Sequence, residues 1–238
     1  MGRIGEVQIL APQRLEMSYQ EYFDSASESK ITEWTEGEVI TYMPPVFAHQ
    51  NIVGFLDGLL RFFIQFFGLG VVIPAPFEVK LWPDGPSREP DLVFIANENL
   101  SRLTLKRFEG GPDLIIEVIS PSSITEDRAR KFIEYERAGV REYWLIDPRP
   151  RQQQMDFYVL GSDQAYHSGP VDDDGIYHSS VIPNFWFNVD WLRQKELPNP
   201  QLILAEIMLS VAELPAEAKE AYQAMYRLLD GKSGDNGQ

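Results

Sequence analysis

Apolar runs broken by single acids dominate residues 89–148. Pro90-Asp91-Leu92-Val93-Phe94-Ile95 and Asp113-Leu114-Ile115-Ile116-Glu117-Val118-Ile119 read as buried strands, and Glu142-Tyr143-Trp144-Leu145-Ile146-Asp147 reads as a third. Between the second and third, Ser123 and Glu126 have the spacing of a capping box, and Gly139 is placed to end a helix begun there. In that helix Ala129, Phe132 and Ile133 mark the packed side, while Asp127, Lys131 and Tyr135 recur at i, i+4 and i+8. Strand, helix and strand predict a right-handed crossover with the two strands parallel.

The rest of the chain predicts an α/β fold with a mixed β-sheet flanked by helices. Residues 18–27 read as a short helix, and residues 31–42 as a hairpin turning at Glu36-Gly37. Residues 48–67 predict an amphipathic helix with Asp57, Arg61 and Gln65 on its polar stripe, which argues against a membrane span. Gly68 and Gly70 break it, and a strand ending near Trp82 follows. Residues 97–108 predict a loop or short helix, and residues 156–160 and 177–182 further strands. Asp172-Asp173-Asp174-Gly175 suits a solvated turn, since it lacks the later glutamate of a calcium loop. The expected divisions are an extended segment (1–17), one domain (18–197), a helical extension (198–230) that Pro215 splits in two, and a mobile tail (231–238).

An acid among aliphatic neighbours is costly to desolvate without a cation or donor, and two of them, Asp91 and Glu117, invite a metal ion. Lys131 can reach them. From Glu117 to Ser123 the chain advances on the order of 20 Å at strand rise, and to Lys131 it returns roughly 12 Å at helical rise. The bland alternatives are a strand-entry turn for Asp91, an ion pair between Lys131 and Asp127, and packing roles for Tyr135 and Tyr143. His49, opening a helix after Pro44-Pro45, suits either a substrate contact or a satisfied histidine.

Pro90-Asp91, Glu117 in its strand and a nearby lysine resemble the PD-(D/E)XK nuclease superfamily. Within it, Pro112-Asp113-Leu114-Ile115-Ile116-Glu117-Val118-Ile119-Ser120-Pro121, then Lys131 and Tyr135, then residues 139–148 closely resemble the Uma-type restriction endonucleases, formerly a domain of unknown function. The resemblance spans about residues 18–192. It implies a restriction-endonuclease-like fold and hydrolysis of DNA phosphodiesters with Mg2+, or Mn2+, held by Asp91, Glu117 and the Val118 carbonyl. Lys131 would orient the water or neutralise charge on the phosphate. The motif lysine is missing, since Ile119 occupies its position; the resemblance puts that role on Lys131 of the following helix. Glu38 and Glu78 are candidates to complete the site.

Composition limits this reading. The chain has 238 residues, no cysteine and a formal net charge of −15. Disulfides and thiolate metal sites are excluded, and the amino terminus lacks the form of a signal peptide, so a cytoplasmic protein is expected. The acidity opposes binding to a polyanion. The cations cluster between Arg102 and Arg151, however, so the candidate site is the least repulsive region. Two other readings stand beside the nuclease: a degenerate nuclease fold serving as an assembly module, and a phosphodiesterase for a small nucleotide. A homodimer or higher oligomer is expected by analogy. No phosphate-binding glycine loop, nucleophile elbow or zinc-spaced histidine pair is present.

Overall fold

The three apolar runs lie together in one sheet of the computed structural model, which describes residues 12–25, 31–42, 47–120, 126–149, 153–194 and 196–233. The elements in chain order are β1 (Gln13–Glu16), α1 (Tyr19–Ser25), β2 (Thr32–Thr35), β3 (Glu38–Thr41), α2 (Phe47–Phe67), β4 (Gly70–Pro74), β5 (Glu78–Lys80), β6 (Ser87–Arg88), β7 (Leu92–Ala96) and β8 (Arg107–Glu109). They continue with β9 (Leu114–Val118), α3 (Phe132–Ala138), β10 (Glu142–Asp147), β11 (Gln154–Leu160), β12 (Tyr166–Ser168), β13 (Ile176–His178), β14 (Trp186–Asn188), α4 (Pro200–Ser210) and α5 (Ala216–Ser233).

The central sheet runs β12-β11-β10-β9-β7-β4. Its β9 and β10 are parallel, as the crossover predicts, and its other pairs are antiparallel. A second sheet runs β1-β3-β2-β6-β5-β8, and β13 pairs with β14. The β2–β3 hairpin turns at Glu36 and Gly37, both at positive φ, which glycine adopts without steric cost.

Two corrections concern strand ends. The strand expected from residue 70 to about residue 82 stops at Pro74, and β5 then joins the other sheet. Pro74 and Pro76 have no amide hydrogen for a ladder. The run 177–182 leaves β13 at His178, because the Ser180 and Val181 amides bond to the Glu142 carboxylate instead.

Strand alternation sorts the core. Leu92 and Phe94 of β7, Leu114 and Ile116 of β9, and Trp144 and Ile146 of β10 pack with α2 and α4. Val93 and Ile95, Ile115, and Tyr143 and Leu145 pack on the other face with Val79 and Phe108 of the second sheet and Tyr135 of α3. Glu117 has the parity of Ile115, so it sits on this second face, where the two sheets and α3 meet. Helix α2 carries the expected stripe, with Arg61 paired to Asp57 at 2.6 Å. Among the described residues no helix is long and apolar enough to cross a membrane.

Candidate active site at the seam of the two sheets

Asp91 enters β7 one residue before Leu92, which pairs with Ile116 of β9. That register brings Asp91 to the end of β9, where its Oδ2 accepts the Val118 amide at 2.7 Å. His49, from the first turn of α2, places Nε2 3.2 Å from the same oxygen. Both side chains are buried.

Lys131 does return to this strand end. Its Nζ lies 2.9 Å from Glu117 Oε1, and the Tyr135 hydroxyl donates to the same oxygen at 2.6 Å. The i, i+4 spacing of Lys131 and Tyr135 is therefore expressed as convergence on one carboxylate. The helix has a π-type segment at Glu126–Lys131 that passes directly into α3, a wide turn often found at functional sites. Gly139 closes it in the left-handed region. The Ser123 cap and the Asp127 side chain lie outside the described residues.

Sequence reasoning missed a second anchor for the lysine. Glu33 of β2 places Oε1 2.9 Å from Lys131 Nζ, so the ammonium bridges two carboxylates from different sheets. Glu33 Oε2 accepts from the Tyr42 hydroxyl at 2.8 Å and from Arg88 at 2.9 Å. Arg88 is fully buried and also grips Glu134 of α3 through Nε and a terminal nitrogen. Burial opposes ionisation of Glu33, but Lys131 and Arg88 hold its carboxyl well below the usual range. Burial and the Glu117 charge push the Tyr135 phenol far up, so it stays a donor. Burial also pushes Glu89 up to about 8 although it accepts the Thr32 amide, leaving a neutral carboxyl beside the ionised set at neutral pH. The one signal available for Arg88 was its place between Pro86 and Pro90 in a segment too short to be a solvated face. Glu33 sits in a strand of Thr32, Trp34 and Thr35, with no aliphatic run around it to mark burial.

Two secondary candidates lie elsewhere. Glu38 pairs with Arg14 at 3.0 Å, and both side chains are about two-fifths exposed. Glu78 is buried in the second sheet, where it accepts from the Tyr19 hydroxyl at 2.7 Å and from Ser87. Ile119 packs in the same apolar cluster as Tyr135 and Leu145, on the face that Glu117 occupies. Among the described residues no group of three or more acidic or histidine side chains is placed to hold a metal ion.

Against known families, residues 19–190 match the Uma2 model, described as "Putative restriction endonuclease". The chain belongs to the Uma2 family. A crystal structure titled as a putative nuclease belonging to DUF820 from Anabaena variabilis ATCC 29413 shares its fold, with a TM-score of 0.58 at 16% identity. The likeness covers 73% of this chain and 95% of that one. No curated protein matches. Within the Uma2 match fall all the residues that meet at the seam: Glu33, His49, Arg88, Asp91, Glu117, Lys131 and Tyr135.

Proposed function

We propose that this Uma2 chain is a metal-dependent endonuclease that hydrolyses DNA phosphodiester bonds at the seam. The observation that carries the reading is the Lys131 ammonium, buried and held between Glu33 and Glu117, with Asp91 entering the strand next to that of Glu117. Formal charge adds support. Asp91, Glu117, Glu33 and Glu134 against Lys131 and Arg88 leave two formal negative charges in a buried site, or one where the His49 imidazole beside Asp91 is protonated. A divalent cation neutralises that surplus.

The donors fit Mg2+ or Mn2+, hard ions held by one or two carboxylates with water and phosphate oxygens filling the shell. Asp91 and Glu117 would hold the ion, with the Val118 carbonyl as a main-chain ligand. When bound, it supplies Lewis-acid stabilisation of the phosphate and a more acidic water. The chain's own groups do the positioning. Lys131 would set its positive charge where charge builds on the phosphate or where the attacking water waits, and Glu33 fixes the ammonium from behind. Tyr135 orients Glu117, the Val118 amide orients Asp91, and His49 Nε2 is placed to hold a proton beside Asp91.

Nicking of supercoiled plasmid with Mg2+ or Mn2+ tests this. The parent nicks, a chelator stops it, and Lys131→Ala loses on the order of a hundredfold or more. Failure of the parent to nick under any divalent ion sinks the proposal. The second reading, a degenerate fold used for assembly, gains from Lys131 already being neutralised by two acids without a metal. It requires identical melting curves with and without divalent ions for parent and Glu117→Ala alike.

A further inference from the structure

Helix α3 and the π-turn before it carry a second stripe. Lys131 and Tyr135 turn toward Glu117, whereas Arg130, Ile133, Glu134 and Arg137, at i, i+3, i+4 and i+7, line a cleft of about 400 Å³. Across from the helix it is lined by residues 34–36 at the end of β2 and by Trp82, Asp84, Gly85 and Pro86 from the turn between β5 and β6. The volume falls within the range of small-ligand sites.

The cleft's charges are unequally engaged. Glu134 is committed to Arg88 through two bonds, and Arg130 lies 3.9 Å from the exposed Glu36. Among the described residues Arg137 has no carboxylate partner. Its guanidinium lies 4.5 Å from the centre of the Trp82 ring, a cation–π contact that holds the group in place and leaves its N–H edge open. The indole is itself held, because Gly85 packs so closely that an added Cβ would come 2.1 Å from the ring. In a chain of net charge −15, a cation kept off the acids and fixed on an aromatic face is set for an anion from outside. Ile133, 62% exposed, adds an apolar surface beside it, and Asp84 adds an acceptor that suits the amino edge of a base.

We propose that this cleft takes one nucleotide of a single DNA strand flanking the bond to be cut, its phosphate at Arg137 and Arg130 and its base against Ile133. The proposal rests on the nuclease reading for the strand's direction of approach. Arg137 lies six residues past Lys131, about 9 Å along the helix axis but on another face of it, a separation that a strand bound across the helix would have to span.

The test is anisotropy of a fluorescent single-stranded oligodeoxynucleotide at low salt with chelator, for the parent, Arg137→Gln and Ile133→Glu. Metal-dependent melting and plasmid nicking are measured on the same preparations. The parent binds, each variant binds roughly tenfold more weakly, and both keep the parent's metal-induced rise in melting temperature. No binding by the parent, or affinity that ignores both substitutions, overturns the cleft even where the parent nicks plasmid. Cleft-dependent binding by a parent that never nicks supports the cleft and sinks the nuclease reading, so the two failures are told apart.

Discussion

Neighbouring strands β9 and β10 each carry a buried glutamate, and the two are held in opposite ways. Glu142 opens β10 on the α2 face, with no exposed surface. Its Oε2 accepts the Ser180 and Val181 amides at 2.7 and 3.0 Å and the Ser179 and Ser180 hydroxyls at 3.1 and 2.6 Å. Its Oε1 accepts the Trp144 indole at 2.6 Å. Glu117 lies near the other end of β9 on the opposite face, held by an ammonium and a phenol. Five neutral donors, four from Ser179, Ser180 and Val181 and one from the same strand, make a fixed joint. A cation shared with Glu33 leaves an electrostatic site that another cation can join. Burial of an acid therefore marks a constraint, and the kind of donor tells whether it is structural or chemical.

The largest effect that separates the two is on chemistry. Glu117→Ala leaves Lys131 with Glu33, so the chain folds, but plasmid nicking falls on the order of a thousandfold and the metal-induced rise in melting temperature disappears. Glu142→Ala, assayed well below its own melting temperature, keeps metal-induced stabilisation. Loss of that stabilisation in the Glu142 variant, with Glu117→Ala behaving as the parent, reverses the assignment of the two ends.

The next effect is on stability and runs the other way. Glu142→Ala strands several buried donors at once and costs about 2–4 kcal/mol in urea unfolding. Weakened protection of the amides of residues 180 and 181 in hydrogen exchange locates the loss. An unchanged urea midpoint contradicts the joint.

These two glutamates also show what could be read in advance. Period-two alternation in β9 and the rise of the following helix were enough to bring Lys131 and Tyr135 to Glu117, because both depend on local geometry, while the β7–β9 register sets Asp91 at the same strand end. Alternation cannot supply a partner from another sheet: Glu33 and Arg88 sit on strands of four and two residues whose place is set by pairing far along the chain. The apolar character of its neighbours singled out Glu117, yet Glu142 and Asp113 are as deeply buried, and only the structure shows that backbone and side-chain donors satisfy them. Helix α4 was legible as a helix, but its packing on α2 was not, because apolar residues surround it on several sides.

Acid pH sharpens the comparison through Glu33. Its carboxyl is lowered from 4.5 to about 2, with Lys131 and Arg88 outweighing burial. A depressed carboxylate contributes stability that is present above about pH 4.5 and lost as pH falls toward about 2. Urea midpoints between pH 6 and pH 3 should fall with acid in the parent and fall less in Glu33→Gln, which starts from a lower stability. Parallel profiles for the two would show that the seam does not hold its acids ionised.

The smallest effect concerns Tyr135, whose 2.6 Å bond to Glu117 Oε1 duplicates the contact made by Lys131. Tyr135→Phe keeps the ring's packing against Tyr143 and removes only the hydroxyl, so it should cost about 1 kcal/mol and slow nicking less than tenfold. An orienting role predicts that the loss appears at every metal concentration and leaves the apparent metal affinity nearly intact, since Lys131 still holds the carboxylate. If Tyr135→Phe instead matches Lys131→Ala, the phenol touches the reacting atoms, and the chemical end of β9 extends one helical turn deeper than Lys131.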